Sequence, residues 1–203
     1  SGLIDSGAIR LLALALVNSL PVALTSTLFL FFVEDRLQLT GKAGILLLCF
    51  FAAAGLSVPF WLRLTRRVGA KMTLIIAMPL SILGFVGAAF LSAGNLLGFL
   101  GVCITSGVAL GADMVVLPAM FSLALTKAGL NASSAFGLWS FAGKLGLALA
   151  AFFALPLLQS AGFAPGQVND ANALNMLNAA YAILPCILKL VAFGLVLTLP
   201  TQE

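Results

Sequence analysis

Histidine is absent from the 203 residues, and ionisable side chains are few: ten Lys and Arg, six Asp and Glu. Without histidine there is no Ser-His triad and no His-containing zinc site. The three cysteines, Cys49, Cys103 and Cys186, stand alone inside apolar stretches with no CxxC spacing. Each reads as a small buried hydrophobe. No metal-ligand set or nucleophile–base pair is visible elsewhere, which argues against an enzyme. A nucleic-acid footprint is also missing, because the net charge of +4 rests on one basic run between two apolar segments. The opening Ser1–Arg10 has no basic n-region with a cleavage site, so no signal peptide is expected. No stretch alternates with the two-residue period of a strand.

What fills the chain instead is apolar surface. Hydrophobic residues make up 62% and charged ones 8%, against roughly half and a quarter in soluble domains. A soluble fold of this size has to show a polar shell to water and has no way to hide so much hydrocarbon. Lipid removes the difficulty, at roughly 20 residues per crossing. The charges punctuate the chain into crossings, and Ser92-Ala93-Gly94-Asn95 divides the long uncharged run 72–112. Six transmembrane helices follow, at 11–33, 43–62, 72–93, 96–125, 133–158 and 174–199, with the longest loop at 159–173. The expected fold is an all-α membrane protein, a single six-helix bundle over residues 1–203.

Lys and Arg set the orientation. With the N-terminus in the cytoplasm, Arg10, Arg63, Arg66, Arg67, Lys71 and Lys127 lie inside and only Arg36 and Lys42 outside. Both termini are then cytoplasmic. Each helix holds one proline, namely Pro21, Pro59, Pro79, Pro118, Pro156 and Pro185, read as local kinks or as hinges. Gly107 with Gly111, and Gly94 with Gly98, are small-xxx-small pairs suited to close helix contact.

Three charges fall within the crossings: Asp113, Lys144 and Lys189. Each costs at least a few kcal/mol there, so a role is the default expectation. At about 1.5 Å per residue, Asp113 lies roughly 18 Å into helix 4 and Lys144 roughly 17 Å into helix 5. An acid and a base at one depth on consecutive helices form either a cavity-lining site or a neutralising pair. Ser106 shares the Asp113 face, while Gly107 and Gly111 lie opposite. Gly137, Ser140, Phe141 and Ala148 share the Lys144 face, and Trp139 points elsewhere. Lys189, nearer a helix end, is expected to snorkel to the interface. Asn18, Ser19, Thr25, Ser26 and Thr27 make helix 1 polar, either along a pathway or as contacts between helices.

Several segments carry a resemblance. Asn18-Ser-Leu-Pro21 followed by Leu28-Phe-Leu-Phe-Phe-Val-Glu34-Asp35-Arg36-Leu37 resembles the seventh helix of the glycoside–pentoside–hexuronide:cation symporters, a melibiose-permease-like family of the major facilitator superfamily. Pro59-Phe-Trp61 with Arg66-Arg67-Val-Gly69-Ala-Lys71 is similar to its basic cytoplasmic loop. Gly111-Ala-Asp113-Met-Val-Val-Leu117-Pro118-Ala119 is similar to its tenth helix, and Phe136-Gly-Leu-Trp139-Ser-Phe-Ala-Gly-Lys144-Leu-Gly to its eleventh. Ser122–Lys127 departs from it, lacking the Asp-x-x-Asp pair that closes the tenth helix in the family.

The resemblance implies the C-terminal half of a twelve-helix transporter, with a sugar held at mid-depth between two bundles. It implies a solute contact at Lys144, to which depth, helix face and polarity add Asp113, Asn18 and Ser140 as candidates, and a gating loop at Arg66, Arg67, Gly69 and Lys71. No cofactor is expected beyond a coupling H⁺ or Na⁺, whose site belongs mainly to the other half. Expected partners are a small-molecule solute, membrane lipid, and an N-terminal six-helix bundle or a second copy, with no nucleic acid. The setting implied is a bacterial inner membrane. A carrier of a non-sugar solute and a six-helix scaffold that transports nothing are the alternatives.

Overall fold

The computed structural model describes residues 8–127 and 132–199. Residues 1–7, 128–131 and 200–203 lie outside the described residues, as does the side chain of Lys127. The signal-peptide reading of the N-terminus therefore falls largely on undescribed residues.

Among the described residues six helices are long and apolar enough to cross a membrane. α1 runs Ala8–Phe31 and continues through a π-helical turn, Phe32–Arg36. α2 is Ala43–Val68, α3 Ala70–Ala89, α4 Leu96–Lys127 and α5 Ala132–Ser160. α6 spans Ala171–Thr198, with a π-helical turn at Ala179–Ile183. That turn stands just ahead of Pro185, whose ring crowds the carbonyl four residues back and which has no N–H to give. The wider turn absorbs the mismatch. Asp170 starts α6 by accepting the Ala173 N–H at 2.8 Å.

Several helix bounds differ from the expected spans, and α3 ends at Ala89 rather than at 93. α2 continues helical to Val68, so Arg63, Arg66 and Arg67 sit in its last turns rather than in a loop. Basic side chains suit a helix C-terminus, where the orphan carbonyls carry partial negative charge. The expected loop reduces to Gly69, with φ 85°, between α2 and α3. Positive φ there favours glycine.

The packing follows chain order only in part. α5 lies on α1 and α4 lies on α2, while α6 packs on α1 and α3 packs on α4. Each contact thus recurs three helices later, the pattern of two three-helix repeats. Gly107 and Gly111 make the α2–α4 contact close. A Cβ on Gly107 would strike the Phe50 carbonyl, and one on Gly111 would strike Ser57 Oγ and the Ala54 carbonyl. Trp61 Nε1 donates to the Val108 carbonyl across the same contact at 2.7 Å. The other glycine pair makes no such contact: Gly94 forms a turn with φ 79°, and Gly98 packs against nearby Leu91 and Asn95.

Loop contacts tie the ends. Gly166 N donates to Asp35 and Gly94 N to the Leu37 carbonyl, which groups three connections at one end. At the other, Lys71 Nζ donates to the Leu197 and Leu199 carbonyls, capping α6.

Candidate functional site: a polar layer beneath a cleft

The interior has two main apolar clusters. One gathers Leu28, Phe32, Phe99 and Ala182, where Phe32 stacks on Tyr181 at 4.0 Å. The other gathers Leu14, Val116, Phe121 and Ala192. On α1, Asn18 falls between Leu14 of the second cluster and Ala23 of the first. On α4, Asp113 falls between Cys103 and Val116, and on α6, Lys189 falls between Ala182 and Ala192. Three helices therefore place a polar side chain in the layer between the clusters, each at the helical spacing of its own buried stripe.

Lys189 Nζ donates to Asp113 Oδ2 at 2.5 Å and to Asn18 Oδ1 at 2.6 Å. Burial is nearly complete: Lys189 is 1% exposed, Asn18 4% and Asp113 8%. Asp113 Oδ1 has no hydrogen-bond partner among the described residues. Asn18 and Asp113 also floor a cleft of about 460 Å³ between α1, α4 and α5. Its walls include Ser19, Ser26, Trp139 and Gly143. Ser26 also borders a second, aromatic cavity of about 390 Å³, lined by Phe29, Phe50, Phe85, Ser106 and Tyr181.

Two expectations are corrected here. Asp113 pairs with Lys189 and not with Lys144, because α4 and α5 barely touch although they follow each other in the chain. Lys189 does not snorkel, since its side of α6 faces α1 and α3 and its Nζ is held by Asn18 and Asp113. A burial signal was available in small residues: Ala182, Cys186 and Ala192 share that buried side, whereas Ile187, Leu190 and Val191 are exposed.

Of the expected solute contacts, Asn18 and Asp113 come together. Ser140 and Lys144 lie on an exposed side of α5. Each is one residue beyond a cleft-lining neighbour, Trp139 or Gly143, and so about 100° around the helix from it. Among the described residues Lys144 makes no ion pair. Trp139, read as pointing away from the Lys144 face, does so, and reaches the cleft against Phe121 at 4.9 Å between ring centres. Ser106 joins the aromatic cavity instead of the Asp113 cleft. The polar residues of α1 divide: Asn18, Ser19 and Ser26 line the cleft, while Thr25 and Thr27 donate to carbonyls of their own helix. Arg66 and Arg67 are exposed, Gly69 is the single residue between α2 and α3, and Lys71 is the α6 cap. No group of three Cys, Asp or Glu that could hold a metal ion occurs among the described residues.

A buried acid with one free oxygen, a lysine fixed beside it and an amide, all below a cleft in a membrane bundle, suit binding and release of a polar solute or ion. No curated protein matches the chain. The model of the MFS/sugar transport protein family matches residues 3–203, and with six membrane-crossing helices around a mid-depth polar layer, the chain is an integral membrane protein that belongs to that family.

Proposed function

We propose that the chain is one bundle, the C-terminal half, of a glycoside–pentoside–hexuronide:cation symporter that moves a sugar or sugar-like solute by alternating access. The observation that carries this reading is Lys144. It lies mid-span on α5, exposed and without an ion pair among the described residues, beside the cleft floored by Asn18 and Asp113. An ammonium at that depth costs about 2.5–3.5 kcal/mol against lipid on insertion scales. The cost falls away if that flank faces a watery cavity closed by a second bundle. That bundle is an N-terminal partner or a second copy, and rocking of the two exposes the cleft to each side in turn.

In the closed carrier Asn18, Ser140 and Lys144 offer hydrogen bonds to solute hydroxyls, and Trp139 offers an apolar face to a sugar ring. Asp113 holds the layer beneath. The Lys/Arg distribution supports cytoplasmic termini. The test is uptake of labelled sugar into vesicles carrying the chain with an N-terminal bundle. Uptake is expected only with both, and Lys144→Ala should abolish it. Concentrative uptake by the purified, monomeric chain would overturn the two-bundle reading.

One observation favours a second cargo. The cleft lining is mostly apolar, and Ser26 joins it to the aromatic cavity. An amphiphilic, non-sugar solute fits such a pair of cavities, and competition for uptake by alkyl-chain solutes would select it.

A further inference from the structure

We propose that the end of the bundle where α2 meets α3 holds one anionic phospholipid, its phosphate on Arg66 and Arg67 and an acyl chain along the outer side of α3. Arg63, Arg66 and Arg67 follow one another at i, i+3 and i+4, so they share a face in the last turns of α2, and all three are exposed. None makes an ion pair or hydrogen bond among the described residues. Described acids are missing from this end. Glu34, Asp35 and Asp170 belong to the opposite end, and Asp113 is paired with Lys189. Lys71, two residues past the junction, is held by the Leu197 and Leu199 carbonyls. The arginines therefore carry positive charge that no described side chain neutralises.

An apolar recess lies beside that charge. Val68, Lys71, Met72, Ile75 and Met120 line a cavity of about 260 Å³ at the junction. Val68 follows Arg67 directly, so the cation and the first wall of the recess are chain neighbours. From the recess, Met72, Ile76, Pro79 and Leu83 continue as an exposed stripe at i, i+4, i+7 and i+11 of α3. The buried side of α3 carries Leu74, Ala77, Met78 and Phe85 and packs mainly on α4 and α6. The stripe thus faces away from the bundle, and it lies on a different helix from the Lys144 flank assigned to a second bundle.

Charge and hydrocarbon together select the occupant. A small soluble anion would meet the arginines and leave the recess and stripe bare. A zwitterionic lipid would cover the stripe but bring a second cation to the arginines. An anionic phospholipid satisfies both, because a guanidinium gives two parallel hydrogen bonds to a phosphate while the acyl chain covers Met72 and Ile76. Lys and Arg orient a membrane protein by their number in the short loops. A recess with an apolar stripe leading from it is the further feature that retains a particular lipid. The site stands apart from the proposed solute path and does not rest on the carrier reading.

The experiment is native mass spectrometry of the 203-residue chain, released from micelles that contain equal amounts of phosphatidylglycerol and phosphatidylcholine with the same acyl chains. We expect one phosphatidylglycerol to be retained per chain in preference to phosphatidylcholine, and less of it at high salt. Arg66→Gln/Arg67→Gln should weaken retention roughly thirtyfold. Arg36→Gln/Lys42→Gln, which removes the same charge at the other end, should leave it unchanged. Met72→Ser/Ile76→Ser keeps every charge and should also weaken retention, because acyl contact is lost. Inorganic phosphate and glycerophosphoglycerol, which have the headgroup chemistry without the chains, should not displace the lipid. The proposal is overturned by equal retention of the two lipids, or by equal loss in the two charge-removing variants. Displacement by inorganic phosphate would mark a simple anion site, and an unaffected serine pair would mark diffuse attraction; either result also overturns it. If circular dichroism shows that Arg66→Gln/Arg67→Gln does not fold, the lipid preference of the unmodified chain and the serine pair decide.

Discussion

Replacing Lys189 by methionine keeps most of the side-chain length and removes the one cation that Asp113 touches. The pair is almost wholly buried, at 1% and 8% exposure, so the small values typical of surface ion pairs do not apply. Stranding one member of a buried pair costs about 3–5 kcal/mol in soluble proteins, and Asn18 Oδ1 loses its donor in the same change. Interhelical polar contacts in membranes average only about 0.6 kcal/mol because the unfolded state also finds partners, which pulls the expectation to about 3 kcal/mol. That is roughly a hundredfold in the folding equilibrium. Asp113→Asn should cost less, since the amide oxygen still accepts from Lys189. The double variant Asp113→Asn/Lys189→Met removes both charges and should return to within about 1 kcal/mol of the parent. Reversible unfolding in mixed micelles, followed by helical circular dichroism, gives the double-mutant cycle. Effects that add within about 0.5 kcal/mol would show that the two side chains do not depend on each other, and the polar-layer argument would fail.

Three other outcomes follow from particular contacts. Gly111→Ala should destabilise the bundle by about 1–3 kcal/mol, as overpacking does, because its Cβ meets Ser57 and the Ala54 carbonyl, whereas Gly101→Ala, with nothing within 4 Å, should be neutral or better in the same unfolding assay. Lys144→Ala should leave stability within about 0.5 kcal/mol, the usual range for a surface position, yet abolish solute binding in the assembled carrier; calorimetry that finds binding intact would remove Lys144 from the site. Single cysteines placed in 159–173 should react with an impermeant thiol reagent outside the cell while those in 63–71 do not, and the reverse pattern would invert the proposed orientation.

The crossings were legible because the charges that end them are scarce and the runs between are long. Gly107 and Gly111 were legible too, since only small residues let two backbones meet that closely. Neighbour relations were not. Asp113 and Lys144 share an estimated depth on consecutive helices, and depth counted along a chain says nothing about which helices touch. The repeat sends α5 across to α1 and α4 across to α2, and Asp113 finds its cation on α6. Rotation was equally hidden. A helix that is apolar on every side has no polar face to orient it, and in α6 the one charge is the residue whose direction was in question. Arg63–Arg67 were misplaced for a related reason, because charge was taken to end the helix when it ends only the hydrocarbon.

The two charged features differ in what each asks of its surroundings, and that difference bears on the proposed second bundle. Asp113 and Lys189 neutralise each other within the chain, so the charges of their layer balance within six helices. Lys144 has no such partner among the described residues and stands on the exposed side of α5 with Ser140, Phe141 and Leu147. α5 and α2 are equivalent helices of the two repeats, and both are among the least buried of the six. Yet α2 between residues 43 and 62 shows only uncharged, mostly apolar residues, which lipid accepts. Lipid as the sole neighbour of both would satisfy α2 and leave α5 with an uncompensated cation at mid-depth. A water-filled cleft bounded by another bundle satisfies both, because the apolar side chains pack against its helices while Lys144 stays hydrated or meets solute.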